Sequence, residues 1–134
     1  MLDDVIESLS ERMRMSNRIE DIVYSTETLV DMLEIKAVPD DYKMKAAYAA
    51  LNADVIRKIM DGATCILTSV DILFGIGGYL CEHNDLSRIN DVESLLDESL
   101  KKSKYTNNYE TYYRIIIAKI TRLRKLVDEK IDML

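Results

Sequence analysis

Apolar residues recur every three to four positions along most of this chain, which is the spacing of amphipathic helices and not of strands. Leu2, Val5, Ile6, Leu9 and Met13 form a first stripe, and Ile19, Ile22, Val23, Leu29, Val30 and Leu33 form a second. Between them stand Ser16 and Asn17, with Glu20 three residues after Asn17, the pattern of a capping box. Two helices with a tight junction are predicted there, one long helix being the alternative. Pro39 closes this region, and the acidic pair Asp40 and Asp41 opens the next. From Tyr42 to Met60 the Ala-rich run predicts one continuous helix, with Met44, Tyr48, Leu51, Val55 and Ile59 on its apolar side.

Residues 63 to 81 break the stripe rule. After the Asp61-Gly62 stop the chain is apolar on every side, through Ile66, Leu67, Val70, Ile72, Leu73, Phe74, Ile76, Tyr79 and Leu80. A helix apolar all round must be enclosed by other helices or by lipid. The segment approaches the ~20 residues needed to cross a bilayer. Asp71 at its midpoint makes a span costly, by roughly several kcal/mol. A buried central helix is therefore predicted, with Thr64 as its cap and with Gly75, Gly77 and Gly78 admitting neighbouring backbones. His83, Asn84 and Asp85 make the following turn. Ile89, Val92, Leu95, Leu96 and Leu100 place a further amphipathic helix within residues 86 to 103, as a hairpin partner of the central one.

The last helical region starts at Asn107 or Asn108, carries Glu110 in its first turn, and has Ile116, Ile120, Leu123, Val127, Ile131 and Leu134 on one stripe. As one helix, residues 108 to 133 reach ~39 Å, so either the helix breaks near Tyr113 or its end projects. The prediction is an all-α single domain, residues 1 to 134, of seven or eight helices around a central hydrophobic one.

Composition narrows the function. The chain has a formal net charge of −6, which argues against nucleic acid as a partner, because phosphate contacts need Lys and Arg. Cys65 and Cys81 lie ~24 Å apart on one rigid helix, too far to bridge, and read as free thiols of a reducing compartment. The acidic, amphipathic start of the chain has the wrong character for a leader. His83 is the one histidine, and with Cys81 it lacks the second ligand pair of a structural zinc site. No nucleophile, acid/base pair or phosphate loop stands out, so neither an enzyme nor a cofactor is expected. Tyr105, Tyr109, Tyr112 and Tyr113 gather at the start of the last helix, where tyrosines suit half-exposed contacts. They read either as two inward and two surface residues or as the wall of a peptide groove.

Two stretches resemble the Bcl-2 family. Val55 to Gly62 resembles the helix that leads into the family's central helix, and Phe74-Gly75-Ile76-Gly77-Gly78 resembles its late Phe-Gly region. Asn108-Tyr109-Glu110-Thr111-Tyr112 is similar to the second homology motif, with Tyr109 in the Trp position and Tyr112 in the aromatic one. Together they cover residues 50 to 113 in the family's order. The chain departs from the family at Cys65-Ile66-Leu67-Thr68, which replaces the Asn-Trp-Gly-Arg start, so the Arg that pairs with a bound BH3 helix is missing. Asn107 and Asn108 stand for the glycines of the second motif. With no hydrophobic tail after Leu134, the pattern is closest to short, virus-encoded members.

The resemblance implies an inhibitor of apoptosis that sequesters pro-apoptotic BH3 proteins of the host, in the host cytoplasm or peripherally at mitochondria, without an integral membrane span. It would place the groove around Tyr48, Leu51, Asn52, Val55, Ile59, Cys65 and Thr68, with Tyr109 and Tyr112 close by. Arg57 and Lys58 are the nearest cations to replace the missing Arg, or else form a solvated face. The alternative is a structural or assembly protein acting through self-association of the last helix, and a homodimer is expected in either case.

Overall fold

A computed structural model describes all of residues 1–134, and it is all-helical. The elements are α1 (Leu2–Met15), α2 (Ile19–Asp31) continued by a 3-10 turn (Met32–Glu34), α3 (Asp40–Ala50), α4 (Ala53–Gly62), α5 (Leu67–Glu82), α6 (Ile89–Ser103) and α7 (Tyr109–Met133). No helix is long and apolar enough to cross a membrane.

The junction between α1 and α2 falls where expected, by a different device. Neither Asn17 nor the N-cap residue Arg18 makes a side-chain cap. Ser16 does the local work instead. Its backbone is extended, its Oγ accepts the Arg18 N–H at 3.1 Å, and the hydroxyl bonds the Asp21 carboxylate at 3.3 Å. Ser and Asn compete for such turn positions through the same kind of short polar side chain, and spacing alone does not choose between them.

The expected single helix over Tyr42 to Met60 is two helices. Ala46, Ala47 and Ala50 face inward from α3, while Val55, Ile56, Ile59 and Met60 face inward from α4. On one straight helix Val55 would lie about 180° around the axis from Ala46, so both sets cannot reach one core. The chain turns at Leu51 and Asn52. The Asn52 side chain accepts the Val55 N–H at 3.2 Å, an N-cap contributing about 1 kcal/mol. Arg88 donates to the Leu51 carbonyl at 3.2 Å, satisfying an acceptor that the break frees. The inward side of α3 is thus the alanine side, and Tyr48 points outward.

Helix α5 packs against α2, α3, α4, α6 and α7, and α1 covers α2 and α3. Val70, Leu73, Ile76 and Leu80 are completely buried. At Gly77 the three helices α5, α6 and α7 converge: a Cβ there would stand 3.0 Å from Leu123 and 3.1 Å from Val92. The enclosure is incomplete, however. Asp71 is exposed, and Phe74, Gly75 and Gly78 are half-buried, forming a stripe on α5 at helical spacing. The hairpin from α5 to α6 turns at Asn84, whose φ of 58° is left-handed, a conformation that asparagine tolerates. Helix α7 does not break near Tyr113. It runs unbroken to Met133, and beyond Val127 its apolar residues Ile131 and Met133 are exposed.

Candidate functional site

The surface that combines unfilled space with the expected groove residues surrounds the connector Ala63–Ile66, between α4 and α5. The connector exists because α5 starts later than its apolar run suggests. Thr64 is exposed and caps nothing, the N-cap position is Ile66 without a side-chain bond, and the first regular helical residue is Leu67. Ile66 is buried and anchors the segment, while the Thr68 N–H bonds the Cys65 carbonyl at 3.1 Å.

A recess opens on each side of this connector. On the α2 side, Ile19, Val23 and Tyr24 face Gly62, Ala63, Thr64 and Thr68 across about 340 Å³. Glu20 and Glu27 stand at its edge. Across the connector, Met60, Ala63 and Ile66 face Tyr105, Asn108 and Tyr112 across about 490 Å³, with Lys102 and Asp61 at the mouth. Both recesses share Ala63 and Thr64, so the connector is a low ridge between them. Volumes of this size suit a few apolar side chains of a bound segment.

Three expected groove residues meet here. Thr68 lines the first recess and Tyr112 the second, and the Cys65 sulfur and the Tyr112 hydroxyl share a hydrogen bond at 3.5 Å, which favours the protonated phenol when the phenol O–H donates. That bond with Cys65 raises the Tyr112 phenol above its ordinary value. The others lie elsewhere. Leu51, Val55 and Ile59 are core residues with exposures of 3%, 2% and 0%, packed between helices where a partner cannot touch them. Asn52 is occupied as the α4 cap. Tyr48 bonds Asp85 through its hydroxyl, and Arg88 lies over its ring at 5.9 Å. That bond and the Ser87 hydroxyl lower the Asp85 carboxyl below the usual carboxylate range.

Of the two candidate cations, Arg57 makes a two-pronged pair with Glu98, at 3.0 and 3.1 Å, and lowers the Glu98 pKa. Lys58 is exposed on the outer face of α4. Tyr109 stands at the start of α7, edge-on to Tyr113 with ring centroids 5.6 Å apart. Ile19, Val23 and Tyr24 of α2 line the recess although the α2 stripe assigns Ile19 and Val23 to the core. The one sequence signal is an aromatic residue, Tyr24, placed directly after the stripe residues Ile22 and Val23, and the structure leaves it exposed.

His83 and Cys81 do not face one another as ligands. The His83 ring stacks on Tyr79 at 4.0 Å and bonds the Tyr79 carbonyl through Nδ1, while Cys81 is buried and burial raises its thiol pKa. No group of three His, Cys, Asp or Glu side chains is placed to hold a metal ion. Comparisons of the chain with protein-family models, with curated proteins and with solved structures give no match.

Proposed function

We propose that this protein is a non-enzymatic receptor for partner helices, built on a Bcl-2-like plan, and that it inhibits apoptosis by sequestering BH3 segments of pro-apoptotic host proteins. The observation that carries the reading is the paired recess around the connector. An amphipathic helix docks by placing its i, i+3/i+4 and i+7 side chains into apolar depressions, and two depressions separated by the Ala63–Thr64 ridge suit successive turns of one helix. The BH3 identity rests on the resemblance of residues 50 to 113 and carries the expected host cytoplasmic, mitochondria-facing setting with it.

The site differs from the one expected from sequence. Leu51, Val55 and Ile59 belong to the core, and the walls come from α2 and from the start of α7. Arg57 is held by Glu98 and Lys102, which lines the α7-side recess, is held by Asp61, so a partner carboxylate meets a cation there only by exchanging with Asp61. A charge-assisted hydrogen bond contributes about 1.5–3 kcal/mol. Because Lys102 is already engaged by Asp61, a partner carboxylate gains less than that amount from it.

Titration of labelled BH3 peptides by fluorescence anisotropy tests the reading. The expected result is saturable binding by a subset of peptides. It is abolished by Thr64→Arg, which sets a long charged side chain on the ridge that a docked helix must cross, and weakened by Tyr112→Ala. A folded protein that binds no member of a broad BH3 panel would refute it.

A further inference from the structure

A second surface lies where the core is least enclosed. Over the open stripe of α5, a furrow of about 480 Å³ runs between α2 and α7, with Val30, Ile72, Phe74 and Gly75 as the apolar part of its floor and the exposed Asp71 carboxylate beside them. Gly78 continues that stripe, and a Cβ built on it meets nothing within 4 Å. The two banks carry opposite charge. On one stand Glu27 and Asp31 of α2, with Glu34 of the 3-10 turn. On the other is α7, where the run from Arg114 to Lys125 holds no carboxylate. Lys119 and Arg122 of that run reach over the Phe74 ring, at 4.5 and 5.6 Å.

None of Glu27, Asp31, Glu34, Lys119 and Arg122 forms an ion pair within the molecule, although both signs face the same furrow. Local structure does not explain the acidic bank either. Asp31 ends α2, where the helix dipole favours cations and none is present. The half-buried Phe74 sits between the two rows as an apolar centre.

We infer that this furrow is a two-fold interface between two copies of the chain, with the acidic α2 bank of each copy seated against the basic α7 bank of the other. A two-fold contact uses the same patch on both subunits, so that a residue on one bank meets the opposite bank of the partner and the pairing is repeated by symmetry. A patch split into acidic and basic halves about an apolar centre is its own complement under that operation. An external cationic helix would satisfy only the α2 bank and would meet Lys119 and Arg122 on the other. The furrow adjoins the α2-side recess and shares Tyr24 and Glu27 with it, but Val30, Asp31, Glu34, Phe74 and Lys119 belong to the furrow and not to the recess, so the interface is tested at those residues independently of BH3 capture.

Charge-reversal complementation is the test, read by sedimentation velocity on the full chain. One variant is Asp31→Lys with Glu34→Lys, both outside the connector recess; the other is Lys119→Glu with Arg122→Glu. The native protein is expected to sediment as a dimer that dissociates as salt is raised, because screening weakens exposed charge pairs. Each variant alone is expected to be a folded monomer, since the reversed side chains then repel the opposite bank of the partner copy. Their equimolar mixture is expected to restore a dimer containing one of each. A native protein that stays monomeric at low salt overturns the inference. So does a dimer indifferent to both reversals, or a pair of monomeric variants that fail to associate when mixed.

Discussion

Gly77 and Gly78 are adjacent in sequence, lie in the same helix, and should respond to alanine with opposite sign. An interior helical glycine costs about 1 kcal/mol relative to alanine, because it loses more backbone freedom on folding and packs nothing. At Gly78 the added methyl meets no atom within 4 Å, so Gly78→Ala should recover that whole amount. At Gly77 the same methyl arrives 3.0 and 3.1 Å from the two Leu123 methyls and 3.1 Å from Val92 Cγ1. Leu123 and Val92 are both 0% exposed, and they belong to two different helices, so neither can swing into solvent. Overpacking of this kind costs about 1–3 kcal/mol, and three simultaneous contacts belong at its upper end. Set against a gain of about 1 kcal/mol, Gly77→Ala should lose about 1–2 kcal/mol overall. The two variants should then differ by about 2–3 kcal/mol, or roughly 10 °C in melting temperature for a domain of this size. Urea titrations and thermal melts followed by helical circular dichroism measure both. If Gly77→Ala proves as stable as Gly78→Ala, then α5, α6 and α7 do not converge as closely as described.

Two further outcomes follow from the titratable groups. The Tyr48 hydroxyl and Ser87 hold the Asp85 carboxyl below its ordinary range, so their stabilisation is present above about pH 4 and is lost as pH falls through the folded value. The group lies near the surface, which limits the effect to under about 1 kcal/mol; Tyr48→Phe should show a smaller fall in urea midpoint on acidification than the native protein, and an equal fall would refute the coupling. The two thiols should separate kinetically: Cys65 at the connector reacts with a thiol reagent in the native state, whereas Cys81, 1% exposed and with its pKa raised by burial, reacts only on unfolding. Simultaneous native labelling of both would show that the α5 to α6 end is open.

Periodicity by itself determined the helical class, the approximate position of each helix except the α3–α4 pair, which it read as one, and the identity of the central helix. A stripe at helical spacing has one economical burial, and Val70, Leu73, Ile76 and Leu80 have no alternative to the interior. Local chemistry legible in the sequence also set the start of α3 at Asp40 after Pro39, and of α7 beside Asn108 with Glu110 in its first turn. What it left open was which face each helix shows to which neighbour. Leu51, Val55 and Ile59 have the composition of a groove wall and of a core alike, and only the turn at Asn52 assigns them to the core. Arg57 has the chemistry of a free ligand for a carboxylate until Glu98, forty-one residues away in sequence, is brought to 3.0 Å from it. Asp71 and Phe74 read as part of an enclosed helix, yet α2 and α7 leave them at the floor of a furrow. Burial of an apolar stripe is a property of one segment, whereas an opening or an ion pair is a property of two, and the second segment is chosen only when the whole chain packs.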